Sequence, residues 1–110
     1  MRTITAPGDI DRLFAGGRRV SHPALLVLAL PTPPAREPEG RVLFVAGTRL
    51  GNAVKRSRSK RVLREAARRA AAPWPGWDIA LVARASTGTA TPEELDSALA
   101  RALKTTGVVR

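Results

Sequence analysis

The chain has 110 residues, with 19 Lys and Arg against 9 Asp and Glu, one His and no Cys, for a formal charge of +10. That length fits one domain with one modest core; the lack of Cys excludes a disulfide scaffold, a thiolate metal site or a thiol nucleophile, and the single His excludes a His-rich metal cluster. Met1–Ile10 lacks the apolar stretch of a secretory signal, and the longest apolar run, Ala24–Leu30, is seven residues, too short to cross a bilayer, so a soluble cytoplasmic protein with no membrane partner is expected.

Ile10, Leu13 and Phe14 recur at helical spacing after Pro7-Gly8-Asp9, and Gly16-Gly17 closes that short helix. Phe14 and Phe44 sit in apolar patterns and are expected in the core. Ala24–Leu30, flanked by Pro23 and Pro31, reads as a buried strand. Pro31–Gly40 is rich in proline and reads as an exposed connection. Arg41–Ala46 is a second strand, expected to pair antiparallel with the first across that connection. A helix is predicted from about Ala53 to Ala72, stopped by Pro73, with Asn52 as its cap.

Pro73–Trp77 reads as a turn in which Trp74 and Trp77 cover the helix end. A third buried strand, Ile79–Ala83, follows, preceded by Asp78, a candidate partner for a nearby Arg. Ser86–Ala90 reads as a loop. Thr91-Pro92-Glu93-Glu94 is a helix start, with Thr91 as cap and Glu94 completing a capping box, and Leu95, Ala98, Leu99, Ala102 and Leu103 form the buried stripe of the last helix. The expected fold is a single α/β domain, more closely a two-layer α+β arrangement. Its order is α-β-β-α-β-α, with a small mixed sheet, a β-α-β crossover and helices packed on the sheet.

From Lys55 to Arg69, eight of fifteen residues are basic and only Glu65 is acidic. At about 100° per residue, Val62, Leu63, Ala66, Ala67 and Ala70 share one arc. Arg58, Lys60, Arg61, Arg64 and Arg68 lie largely opposite, while Lys55 and Arg56 must splay out at the helix start. Solvated helix faces usually mix signs, because like charges at i, i+3 and i+4 cost a few tenths of a kcal/mol per pair. A polyanion laid along this face relieves that repulsion. Sixteen of the 19 basic residues are Arg, whose planar fork grips phosphate with paired hydrogen bonds. No short row of base-reading side chains stands out, so the shape of an RNA suits the face better than a DNA sequence.

The run Arg49-Leu50-Gly51-Asn52-Ala53-Val54-Lys55-Arg56-Ser57-Arg58-Ser59-Lys60-Arg61-Val62-Leu63-Arg64-Glu65 resembles the signature of the bacterial ribonuclease P protein subunit. That signature is a Gly-Asn-Ala-Val opening into an Arg-Asn-Arg helix, then Lys-Arg and an Arg-Glu or Arg-Gln pair. Ile10–Gly17, Asp78–Arg84 and Thr91–Leu103 resemble the family's first helix, the strand after the basic helix and the final helix. The resemblance implies an accessory to a catalytic RNA, which uses RNA-held Mg2+ to hydrolyse the phosphodiester joining the 5′ leader to tRNA. It implies that the protein supplies no catalytic residue, metal ligand or bound cofactor of its own. The implied contacts to the RNA subunit are Asn52, Lys55, Arg56, Arg58, Lys60, Arg61, Arg64 and Arg68. Arg12, Phe14 and Arg49 fall where the family lines its cleft for the precursor-tRNA leader.

The chain departs from the family pattern in having Ser57 for the motif Asn, Ile10 and Leu28 where aromatic residues are common, and Thr48-Arg49 for a basic pair. Its charge alone equally suits a non-catalytic ribosomal or RNA-assembly protein. A stand-alone nuclease of the acid–base kind wants two positioned proton-transfer groups, and His22, beside Pro23, has no second His.

Overall fold

A computed structural model describes residues 3–33 and 39–109. The middle of the expected Pro31–Gly40 connection, residues 34–38, lies outside them. The observed elements are helix α1 (Pro7–Gly16), strands β1 (Arg18–His22), β2 (Leu25–Pro31) and β3 (Arg41–Val45), helix α2 (Ala53–Arg69), strand β4 (Trp77–Ala83) and helix α3 (Pro92–Thr106). Short 3₁₀ turns at Thr48–Leu50 and Thr87–Thr89 precede α2 and α3.

The strands form one mixed sheet in the order β1-β2-β4-β3. β1 and β2 make a hairpin whose closing pair is His22↔Leu25, leaving Pro23 and Ala24 to turn the chain. The Nδ1 of His22 accepts the Ala24 N–H at 3.0 Å, fixing that turn. β1 adds a strand to the expected order. It has one apolar residue in five and exposes both arginines, as suits a sheet edge protected from further pairing.

The expected antiparallel pairing of Ala24–Leu30 with Arg41–Ala46 does not occur. β4 lies between them, antiparallel to β2 and parallel to β3. Burial explains the order: Asp78, Ile79, Ala80 and Leu81 are all buried, so β4 wants a partner on each side. β3 buries only alternate residues and takes the edge. The N-terminal segment covers part of that edge, where the Ile4 N–H donates to the Val42 carbonyl at 3.2 Å.

Strand alternation divides the apolar side chains between the two faces. Val27, Ala29, Val42, Phe44, Ile79 and Leu81 meet Leu63, Ala66 and Ala67 of α2 and Leu95, Leu99 and Leu103 of α3. On the opposite face, α1 inserts Leu13 against Leu28 and Ala80, with Ile4 beside it. Helices therefore flank the sheet on both sides, α1 alone on the second. Phe14, expected in the core, is instead 40% exposed. Adjacent helical residues point about 100° apart, and Leu13 takes the inward position.

α2 ends three residues before the expected Ala72. The Ala71 N–H donates to the Arg68 carbonyl and the Ala72 N–H to the Ala67 carbonyl, a Schellman closure with Ala71 at φ +66°. Trp74 then folds back over the end, its Nε1–H donating to the Ala70 carbonyl at 3.2 Å. Alanine pays a steric cost in this left-handed conformation that glycine avoids. Ala71→Gly is expected to raise stability by about 0.5–1 kcal/mol, read as a thermal midpoint higher by roughly 2–6 °C; a lower midpoint would contradict this helix end. Gly40 is needed for a different reason: at φ +85° its Cβ would lie 2.1 Å from the Trp74 carbonyl oxygen.

Candidate nucleic-acid interface

Asn52 caps α2 as expected, its side-chain oxygen accepting the Lys55 N–H at 3.0 Å. With Leu63, Ala66 and Ala67 fixed on the sheet, the helix has no rotational freedom, so its charged arc is held in solvent. Lys55, Arg58, Lys60, Arg61, Arg64 and Arg68 are exposed. Arg56 is half-buried, and its buried Nε has no hydrogen-bond partner among the described residues.

Among the described residues, the ion pairs lie away from this arc: Arg12 and Arg41 with Asp9, Arg41 with Asp78, and Arg69 with Asp96. The Asp96 hydrogen bond pushes the Arg69 guanidinium further above its ordinary range. Two cations of the arc are steered without being neutralised. The Nε of Arg58 donates to the Gly88 carbonyl at 3.2 Å, and the Arg64 guanidinium sits 5.3 Å above the centre of the Phe44 ring.

The residues expected to line a leader cleft divide. Arg12 and Phe14 are exposed on α1, above the sheet face bearing Leu28 and Ala80. Arg12 reaches Asp9 at 3.7 Å. Arg49 instead shares a cavity with Lys55 and Arg58, between the two 3₁₀ turns and the start of α2. The structure thus joins Arg49 to the α2 cations rather than to α1.

Strand alternation puts Arg19 and Ser21 on the α1 side of the sheet, across from Leu28 and Leu26. Arg84, just past β4, donates from Nη2 to the Ser21 hydroxyl at 2.8 Å, while its buried Nε has no partner among the described residues. Sequence reading did not single these residues out. The available signal was an Arg directly after a buried strand, but Ser21 becomes its neighbour only through the β1–β2 hairpin.

At the other end of this face, Arg41 holds α1 to the sheet. Its Nε and Nη2 grip both carboxylate oxygens of Asp78 at 3.1 and 2.6 Å, and Nη1 donates to Asp9 of α1 at 3.0 Å. The hydrogen bond to Asp78 raises the Arg41 pKa above an already high value, and Asp9 adds to the effect against the opposing cost of burial. Asp78 therefore has the Arg partner that its position suggested.

Among the described residues, no group of three or more His, Asp and Glu side chains gathers where it could hold a metal ion. No helix within them is long and apolar enough to cross a membrane.

The fold and its charge distribution define a small α+β domain that presents, on one helix, an exposed arc of cations unpaired with carboxylates among the described residues, Arg69 with its Asp96 partner lying outside that arc. A family model described as Ribonuclease P matches residues 2–107. The ribonuclease P protein component of Herpetosiphon aurantiacus is 41% identical over 102 residues, covering 92% of this chain and 80% of that protein. The ribonuclease P protein component of Dehalococcoides mccartyi is 31% identical over 93 residues, covering 84% of this chain and 74% of that protein. The ribonuclease P protein structure from Staphylococcus aureus shares the fold, with a TM-score of 0.79 and 24% identity, covering 100% of this chain and 99% of its own. That from Thermotoga maritima does so at a TM-score of 0.74 and 22% identity, covering 96% and 97%.

The chain belongs to the ribonuclease P protein-component family. Its place is that of a subunit of ribonuclease P, in tRNA processing, and the reading as a ribosomal or RNA-assembly protein is not favoured.

Proposed function

We propose that this subunit binds the ribonuclease P RNA along the exposed arc of α2 and helps it to hold precursor tRNA, while the RNA performs the hydrolysis. The observation that carries the reading is the one-signed face formed by Lys55, Arg58, Lys60, Arg61, Arg64 and Arg68, exposed and unpaired with carboxylates among the described residues. Arg56 and the capped turn at Asn52 extend it toward the helix start. Two folded RNAs repel each other through their phosphates, and a fixed array of guanidinium groups lowers that repulsion where a mobile ion must pay an entropic cost to be localised.

The 5′ leader lies, in this reading, over the sheet face beside α1, with Arg12 and Phe14 at its border. The exposure of Phe14 supports the assignment, since an aromatic face in solvent at a cationic border suits stacking on an unpaired base. Arg49 acts with the α2 set, in keeping with the cavity it shares with Lys55 and Arg58. Mg2+ is held by the RNA and takes part in hydrolysis there; the protein contributes binding and charge screening, in the cytoplasm. Preference for precursor over product follows because only the precursor carries a leader to grip.

Reconstitution tests the proposal. The protein, added to a bacterial ribonuclease P RNA at low Mg2+, is expected to accelerate leader removal, with a smaller effect at high Mg2+ where the ion itself screens the phosphates. A cleavage rate unchanged by the protein at low Mg2+ would reject it.

A further inference from the structure

The cavity shared by Arg49, Lys55 and Arg58 has a volume of about 390 Å³ and is walled by three separate segments: the 3₁₀ turn at Thr48–Leu50, the first turns of α2, and the connection from β4 to α3. Its size falls within the range of about 300–1,000 Å³ common for small-molecule sites. Its walls differ in chemistry. Arg49, Lys55 and Arg58 supply positive charge with no carboxylate among the lining residues, whereas Leu50 and Ala85 supply an apolar surface, and Thr89 adds a hydroxyl.

Several contacts preform this arrangement. Arg58 is tethered to the Gly88 carbonyl through Nε, which leaves its terminal nitrogens to face a ligand. Gly88 faces α2, where a Cβ added to it would make ordinary contact with the Ser59 hydroxyl at 3.5 Å. The Lys55 stem lies back over Gly51, whose added Cβ would be 3.0 Å from Lys55 Cδ. The β4–α3 connection is itself strapped to the β1–β2 turn, Thr87 donating to the Ala24 carbonyl and Ser86 to the Pro23 carbonyl.

We propose that this cavity receives a single unstacked nucleotide of the bound RNA, its phosphate among Arg49, Lys55 and Arg58 and its base against Leu50 and Ala85. The inference rests on the reading of α2 as an RNA-binding face and goes beyond it. A phosphate array needs only charge, whereas a walled cavity with an apolar side selects an anion that also carries a flat, poorly hydrated body. An unpaired nucleotide in a loop or bulge has that composition and can be splayed from its stack.

The test separates the cavity from the charge. Ala85→Leu fills the apolar side from an exposed turn and alters no charge. Its affinity for ribonuclease P RNA is expected to fall about 5- to 20-fold, with the slope of log affinity against log salt unchanged. The same replacement at exposed Ala100 of α3 serves as the control and is expected to bind as wild type. On the unmodified protein, nucleoside monophosphates at millimolar concentration are expected to shift the amide resonances of Ala85 and Gly88, with inorganic phosphate leaving Ala85 unmoved. If Ala85→Leu binds normally while combined Arg61→Ala, Arg64→Ala and Arg68→Ala binds weakly, the nucleotide receptor is refuted and α2 remains an RNA face. If neither variant weakens binding, the RNA reading of α2 fails as well. Should Ala85→Leu fold poorly, the nucleotide titration decides alone: identical shifts from phosphate and nucleotides overturn the proposal.

Discussion

Replacing Arg41 by methionine is expected to cost about 3–5 kcal/mol of stability, because it strands a buried carboxylate. Asp78 is 2% exposed, at the start of the central strand, and Arg41 meets it directly across the parallel β3–β4 ladder. The guanidinium grips both Asp78 oxygens and also reaches Asp9 on α1. Without it, Asp78 keeps the hydroxyl of Thr32, at 3.1 Å, but loses the charge that offsets its desolvation. For a domain of this size the thermal midpoint should drop by roughly 12–20 °C. Arg41→Met with Asp78→Leu removes both charges and is expected to recover much of the loss, since well-packed apolar residues can replace a buried ion pair at little cost. Denaturant unfolding of the two single variants and the double variant provides the cycle; additive losses would contradict a coupled pair.

The same pair has a defined pH behaviour. The Arg41 pKa is raised by folding, so its contribution is fully present below the unfolded guanidinium value and is lost only as pH rises through the still higher folded value. Arg41 therefore stays charged through the neutral range, and the pH cannot be used there to release α1 from the sheet by titrating it. The position also links stability to function, because Asp9 and Arg12 lie on the helix that borders the proposed leader path.

What could be read from the residues alone was set by local periodicity. α2 and α3 announce themselves through apolar stripes at helical spacing and through the caps Asn52 and Thr91, whose side chains accept from Lys55 and Glu94. The two strands flanking α2 were recoverable because an apolar run on each side of a helix implies a parallel pair. Strand neighbours were not, since β2 and β4 pair across more than forty residues and no local pattern chooses between β3 and β4 as the partner of β2. β1 escaped for a related reason: Arg18-Arg19-Val20-Ser21-His22 has little apolar content and becomes a strand by hydrogen bonding to β2.

The candidate interface divides in the same way. Its charged arc lies within one helix, so sequence spacing was enough to gather it. The joining of Arg49 to Lys55 and Arg58, and of Arg84 to Ser21, depends on segments that meet only in the folded chain. Phe14 illustrates the limit of an apolar pattern in a short helix: Leu13 and Phe14 compete for one inward position, and composition does not decide between them.

Converting Arg61, Arg64 and Arg68 together to alanine is expected to produce the largest loss of RNA affinity. All three are exposed and none is paired with a carboxylate among the described residues. Each phosphate contact contributes about 0.7–0.9 to the slope of log affinity against log salt through counterion release, so the slope should fall by about 2–3. Extrapolated over the decade from 1 M to 0.1 M salt, the same coefficients predict affinity weaker by about 100- to 500-fold at 0.1 M. Stability should change little. Alanine favours the helix and relieves like-charge repulsion, while loss of the Arg64 contact with Phe44 removes about 0.5–1 kcal/mol. Arg69→Ala is the informative comparison, because Arg69 lies on the same helix but already carries Asp96, its Nη2 2.9 Å from the carboxylate. It is expected to lower the slope by less than about 0.5, as a cation already neutralised releases few counterions. Fluorescence titrations of labelled ribonuclease P RNA from 0.1 to 1 M salt would measure both quantities at about 25 °C. Equal slopes for the triple variant and the wild type would exclude this arc from the phosphate backbone.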